Sequence, residues 1–296
     1  MNIDPGRSTS SDTSVSGVAG IPVVGLNDGN SIPQLGFGVW QVGNDEVVPA
    51  VRSAIEAGYR SIDTAEGYDN EQGVGRAIRE AAVEREELFV TSKLRTKLLG
   101  EAEAIEGLEG SLRALGLDYL DMFLIHWPAP AHDRYVAAWQ GLIRAREQGL
   151  VRSIGVSNFL EEHLRRIIDE TGVTPVVNQI ETHPEFQQRA IRDFLESHDI
   201  RQESYSPLGS GAVLDNPEIG RIAAAHGKSP AQAIIRWHLQ QGLIVIPKSV
   251  HEDRIRDNID VFDFALSEDE MAAIARLDRT PEGRTGSDPR TFNDLW

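Results

Sequence analysis

Between residues 35 and 246 the chain alternates short runs of strand length with longer stretches of helical pattern. The short runs fall at 35–38, 61–63, 88–92, 119–126, 151–156, 176–180, 202–205 and 244–246. Runs of this length with apolar bias read as strands of a buried parallel sheet. Between them, helical patterns cover 101–115, 135–148, 160–170 and 187–197. The segment SPAQAIIRWHLQQG adds a further helix with its own punctuation. Ser229 is placed to cap it, Pro230 stands at its first position, and Gly242 lies just past its end. Upstream, strand patterns at 21–24 and 31–34 flank Asn27-Asp28-Gly29-Asn30. The Asp-Gly pair favours a tight turn, so a hairpin is expected ahead of the repeating pattern.

Eight strands, each followed by a helix, fit a closed parallel barrel or an open doubly wound sheet. The open sheet predicts a glycine-rich phosphate fingerprint after the first strand. None is present, because Gly36-Phe37-Gly38 runs into Val39-Trp40-Gln41 with no glycine at the required place. Polar residues at nearly every strand end also favour the barrel. No linker interrupts the middle of the chain, so residues 21–296 read as one α/β domain, a (β/α)8 barrel. Residues 1–20 are rich in Ser, Thr, Gly and Asp without an aromatic, and read as a disordered tail.

Composition narrows the partners. The 296 residues are 40% hydrophobic, enough for a sizeable core. There is no cysteine, which excludes disulfides, thiol catalysis and thiolate metal sites and fits a reducing, cytoplasmic setting. A formal net charge of −17 argues against nucleic acid or an anionic membrane as partner. No stretch reaches the roughly 18 apolar residues of a membrane span, and no secretory signal opens the chain. No long apolar stripe calls for a second subunit, so a monomer is expected.

The candidate chemistry begins in GYRSIDTAEGYDNEQGVG, residues 58–75, which sets Asp63 and Tyr68 five residues apart beside a strand end. Lys93 follows in TSKL and His126 in LIHWP, each after an apolar run. Residues at the ends of successive strands are how a β/α barrel assembles an active site. In these motifs, and over about residues 21 to 296, the chain resembles the aldo-keto reductase family, whose members reduce carbonyls with a nicotinamide cofactor. The resemblance puts Asp63, Tyr68, Lys93 and His126 on the family's catalytic tetrad and the hairpin at the barrel bottom. The chemistry suits those types. A free phenol has a pKa of about 10 and is a weak acid near neutrality. An adjacent ammonium, Lys93, lowers it, and Asp63 would hold that ammonium in place. His126 would orient the substrate carbonyl.

The resemblance further implies a cofactor set: Val39, Trp40, Asp63, Ser157, Asn158, Gln179, Tyr205, Ser206, Leu208, Lys248, Ser249, Arg254 and Asn258. Ser157, Asn158 and Gln179 would bond the nicotinamide carboxamide, and Tyr205 would stack on its ring. Lys248, Ser249, Arg254 and Asn258 would meet the 2′-phosphate and adenine, which selects NADPH. These are the local cations that an acidic protein needs for a phosphorylated cofactor. Trp40, Tyr68, His126, Trp127 and Trp296 are expected around the substrate, with Phe292 and Leu295 as further walls. Trp139 and Trp237 lie inside helix patterns and read as core.

The short loop PAPAHDR after Trp127 is similar to that of a prokaryotic branch resembling the 2,5-diketo-D-gluconate reductases, which implies small carbonyls, dicarbonyls or keto sugars as substrates. Two other functions could sit on such a barrel. A sensor or scaffold that binds NADPH without catalysis has no need of the Tyr-Lys-Asp set. A metal-dependent hydrolase on the same barrel would need converging His and carboxylate ligands. The eight histidines include no HxH pair after the first strand, and no metal is expected.

Overall fold

The chain enters as an antiparallel hairpin, β1 (Val23–Gly25) and β2 (Ser31–Pro33), and then runs through eight parallel strands. These are β3 (Phe37–Gly38), β4 (Ser61–Asp63), β5 (Phe89–Leu94), β6 (Leu120–Ile125), β7 (Val151–Ser157), β8 (Val177–Glu181), β9 (Arg201–Tyr205) and β10 (Ile244–Val245). The structure is a computed structural model that describes residues 20–296. The tail expected to be disordered therefore lies, apart from Gly20, outside the described residues.

Each barrel strand pairs with the next in sequence. The ring closes where Leu35 bridges Val245 in parallel, with Gly36 N donating to Val245 O at 2.9 Å and Val245 N to Gln34 O at 3.0 Å. Among the described residues ten α-helices surround the strands: α1 (Val47–Ala57), α2 (Glu71–Glu80), α3 (Glu101–Leu115), α4 (Tyr135–Glu147), α5 (Glu161–Thr171), α6 (Arg189–Ser197), α7 (Pro217–Ala225), α8 (Pro230–Gln240), α9 (Glu252–Ile259) and α10 (Glu268–Ala275). Eight of them follow the eight strands. The additional α7 and α10 pack around the buried indole of Trp237 through Ile222, Ala273 and Ile274. Helix α8 has the expected ends. Gln232 N donates to Ser229 Oγ, Gln232 Oε1 accepts from Ser229 N at 2.9 Å, and Gly242 takes a positive φ of 73° after the last turn.

The main core lies between the strand ring and the helices, where α1 contributes Val47, Val51 and Ala54 and α4 the fully buried Trp139. The Trp139 indole N–H reaches Val173 O at 3.2 Å, so its one polar atom is satisfied. The hairpin closes the other end of the ring. Ile32 is fully buried in a cluster with Phe89, Met122, Leu124, Val177 and Ile244. Asn27 ties the turn to the loops ahead of β8 and β9, donating to Pro175 O and Asp199 O at 3.1 and 3.0 Å. With that end plugged, the C-terminal ends of the strands form the open face.

Most element boundaries shift by one or two residues from the sequence pattern, and two of the differences have a clear physical cause. The hairpin loop runs over five residues, 26–30, because Gly29 N bonds back to Leu26 O and Leu26 N bonds across to Asn30 O. Strand β5 continues through Lys93 and Leu94, which register with Leu124 and Ile125. A lysine is tolerated there because a carboxylate on the neighbouring strand neutralises its ammonium.

Candidate active site

Asp63 is the last residue of β4, and its carboxylate points into the ring. A short 3-10 turn, Glu66–Tyr68, then folds back so that Tyr68 returns over the strand ends; Asp69, at φ +54°, ends the turn. On β5 the Lys93 ammonium, fully buried, lies 2.6 Å from Asp63 Oδ1, 2.8 Å from Thr64 O and 3.4 Å from Tyr68 Oη. His126 is the first residue after β6, and its ring stands edge-on to Tyr68 with centroids 5.6 Å apart. Four residues from three strand ends thus converge on one point.

Further round the ring, polar side chains lock one another. Ser157 Oγ donates to Gln179 O at 2.9 Å. Asn158, at φ +62°, donates through Nδ2 to His126 O at 3.0 Å, and its Oδ1 accepts from Tyr205 Oη at 2.8 Å. Asparagine is among the few non-glycine residues that adopt this conformation. Gln179 Nε2 donates to Asp63 Oδ2 at 2.8 Å and to Glu203 Oε2 at 2.9 Å.

The electrostatics follow from burial. Burial pushes the Tyr68 phenol up, and the Lys93 ammonium pulls it part of the way back. The lowering expected from Lys93 is therefore present but smaller than the opposing effect of burial, and the phenol keeps its proton. Burial alone would lower Lys93, but the charges of Asp63 and Tyr68 outweigh it and the ammonium is held protonated above its ordinary range. His126 is driven well below the usual imidazole range by burial and by the charge of Lys93, so its ring is neutral. One neutral phenol and one neutral imidazole face the same space, and a carbonyl oxygen between them would meet two hydrogen-bond donors.

That space is part of a cleft of about 940 Å³ on the open face. Of the expected residues, Trp40, Asp63, Tyr68, His126, Trp127, Ser157, Asn158, Gln179, Tyr205, Ser206, Leu208, Lys248, Arg254 and Trp296 line it. Lys93 lies beneath, reaching it through Asp63 and Tyr68. Val39 is buried behind the wall, with its carbonyl taken by Asn70 Nδ2. Ser249 spends its hydroxyl on the turn into α9, accepting from His251 N at 3.1 Å, and Asn258 is buried on α9 away from the lining.

The two ends of the cleft differ. One is aromatic: Trp296 stands edge-on to His126 at 5.2 Å, and Trp127 packs on Phe292 at 4.3 Å. Trp40 is 50% exposed and forms the rim, whereas Leu295, also 50% exposed, does not line the cleft. The other end carries Lys248 and Arg254, both exposed. Glu252, an obvious partner for Arg254, pairs with Arg256 instead.

Several lining residues had no signal in the sequence. Gly67 has no side chain to announce itself. Thr285, Gly286 and Ser287 sit in a loop-like tail, yet form a strap that lines the cleft. Buried Glu181, at the end of β8, holds the strap by accepting from Thr285 N and Oγ1 at 2.6 Å each and from Gly286 N at 2.9 Å.

Comparison with known proteins agrees with this geometry. Residues 34–279 match the Aldo/keto reductase family. Methylglyoxal reductase DkgA of Escherichia coli (strain K12) is 53% identical over 272 residues, which is 91% of this chain and 98% of that protein. A crystal structure of a Gox0644 mutant in complex with NADPH superposes with a TM-score of 0.89 at 50% identity, covering 92% of this chain and 98% of that one. The Bombyx mori aldo-keto reductase in complex with NADP gives a TM-score of 0.82 at 40% identity, covering 87% and 93%. A barrel with these strand ends and matches over most of its length belongs to the aldo/keto reductase family.

Proposed function

We propose that this chain is an NADPH-dependent reductase of small carbonyl compounds, acting on aldehydes, ketones, dicarbonyls or keto sugars. The observation that carries the reading is the contact chain from Asp63 through Lys93 to Tyr68, with His126 on the same floor. The names of the similar proteins, methylglyoxal reductase among them, support it.

The cleft suits the cofactor. Ser157, Asn158 and Gln179 offer hydroxyl and amide groups for a carboxamide, beside a Tyr205 ring whose hydroxyl is already tied to Asn158. Lys248 and Arg254 offer the cationic end that a 2′-phosphate needs. Bound there, NADPH supplies the hydride. Tyr68 Oη gives the proton to the oxygen that becomes the alcohol. Lys93 stabilises the phenolate left behind, and Asp63 fixes Lys93. His126, neutral, donates a hydrogen bond to the carbonyl oxygen and holds it between the two rings. Trp40, Trp127, Phe292 and Trp296 exclude water around the substrate.

The same reading makes the enzyme a cytoplasmic monomer, which fractionation and size-exclusion chromatography test. No helix of the described residues is long and apolar enough to cross a membrane. The activity is tested by following NADPH oxidation with a panel of small aldehydes, dicarbonyls and keto sugars. Turnover on members of the panel is expected; tight NADPH binding with no turnover on any would favour the non-catalytic reading.

A further inference from the structure

Glu203 is fully buried inside the barrel, and no step proposed above uses it. It lies on β9 directly opposite Gln179 of β8 in the strand register. Its Oε2 accepts from Gln179 Nε2 at 2.9 Å, while Asp63 Oδ2 accepts from the same nitrogen at 2.8 Å. An amide nitrogen carries two hydrogens, so both are used. The neighbours dictate which way the amide faces. Asp63 and Glu203 present oxygens, and the amide oxygen turned towards the Asp63 carboxylate would be repelled. Only the amide oxygen of Gln179 is left for the cleft that the residue lines. That oxygen accepts hydrogen bonds and cannot donate them.

We propose that Glu203 is a positioning residue for cofactor recognition. With Asp63 it locks the Gln179 side chain so that its amide oxygen accepts a hydrogen bond from the carboxamide N–H₂ of the nicotinamide. The inference rests on the cofactor placement proposed above. Asp63 alone would hold Gln179 by one bond, about which the amide could turn; the second bond, from the neighbouring strand, removes that freedom. Burial, then the charge of Asp63, pushes the Glu203 carboxyl up to about 8. Near neutrality it is the uncharged acid, which keeps an accepting oxygen for Gln179 without placing a second negative charge beside Asp63. Its other oxygen, Oε1, has no hydrogen-bond partner among the described residues. A buried polar atom left so is costly, and an apolar residue at this position would avoid the cost.

The test compares NADP⁺ with its 3-acetylpyridine analogue, in which a methyl group replaces the amide nitrogen and the donor is gone. Dissociation constants are read by protein fluorescence on the full-length chain, with kcat and KM of the reduced forms measured alongside on one aldehyde. Wild type is expected to bind NADP⁺ about tenfold more tightly than the analogue, the effect of one hydrogen bond. Glu203→Leu should close that gap by weakening NADP⁺ and leaving the analogue nearly unchanged. Glu203→Gln restores an accepting oxygen and should recover the gap. Glu203→Met, of similar length and without an acceptor, replaces the leucine variant if thermal melting shows that it does not fold. Equal weakening of both cofactors, or no recovery in Glu203→Gln, would mark Glu203 as a merely structural group and overturn the inference. Gln179→Leu separates the two levels of the argument. If it keeps the gap, or wild type shows none, the cofactor placement itself fails and the inference falls with it. If it closes the gap while Glu203→Leu does not, only the role of Glu203 is refuted.

Discussion

The indole of Trp296 occupies the space that a side chain on Gly67 would need: a Cβ there would lie 1.9 Å from the ring's Cζ3. Gly67 directly precedes Tyr68, so the last residue of the chain rests against the turn that carries the proposed proton donor. Trp296 is docked by its backbone N–H on Thr96 Oγ1 at 3.1 Å, while Thr96 itself donates to Asp294 O at 2.7 Å. A methyl at position 67 must displace the ring. Gly67→Ala is expected to raise KM for small aldehydes by about tenfold, the scale of a lost pocket contact, with a smaller change in kcat. Steady-state kinetics on one small and one bulky aldehyde check this, and the bulky one should lose less.

The cationic end of the cleft predicts cofactor choice. Arg254 is exposed on α9, and Glu252 is engaged by Arg256. A guanidinium on a phosphate makes charge-assisted bonds that a hydrogen-for-phosphate exchange forfeits. Arg254→Ala should lower the preference for NADPH over NADH by about tenfold or more, mostly through KM for NADPH. An unchanged preference would remove Arg254 from the phosphate site.

The Glu181 carboxylate holds the 285–287 strap through three hydrogen bonds. Burial would raise the Glu181 pKa, but hydrogen bonds from His183, Thr285 and Gly286 outweigh it and hold the group below its ordinary value. An acid with a lowered folded pKa contributes stability above its unfolded pKa and loses it as pH falls through the folded value. Glu181→Gln should cost about 2 kcal/mol at neutral pH, read from denaturant unfolding. The difference from wild type should shrink as the pH falls below the ordinary carboxylate range.

Glu203 carries the opposite sign. Its folded pKa, pushed up to about 8 from an ordinary 4.5, means that the folded chain holds a proton which the unfolded chain releases. Its contribution is full below 4.5 and is lost progressively as pH rises towards 8. Glu203→Gln removes that dependence. Relative to wild type, the variant's Tm should rise steadily between pH 5 and pH 8 and level off above, as thermal melts across that range would show.

Much of the architecture was legible in the sequence because parallel strands covered on both faces leave short apolar runs. Ser229, Pro230 and Gly242 act locally, and they mark the bounds of α8 in sequence and structure alike. Asp63, Tyr68 and His126 were legible because polar residues at strand ends interrupt apolar runs. Lys93 was expected just past a strand and lies inside one, since a buried cation becomes acceptable only once Asp63, thirty residues away, is placed beside it. Glu181 and Glu203 escaped notice for the same reason. An acid within a short strand reads as solvent-facing until the strand register reveals its partners. Thr285 lies 104 residues from Glu181, and Gln179 lies 24 from Glu203. Helices α7 and α10 fall outside the strand–helix alternation and had no repeat to announce them.

The assignment of Tyr68 as proton donor is tested by Tyr68→Phe. The substitution removes one oxygen, keeps the ring against His126, and leaves Lys93 bonded to Asp63 and Thr64. A fall in kcat for carbonyl reduction of about a hundredfold or more is expected, the scale of a lost general acid, with NADPH binding within about threefold of wild type. Near-normal turnover in that variant, with NADPH still bound, would contradict the assignment.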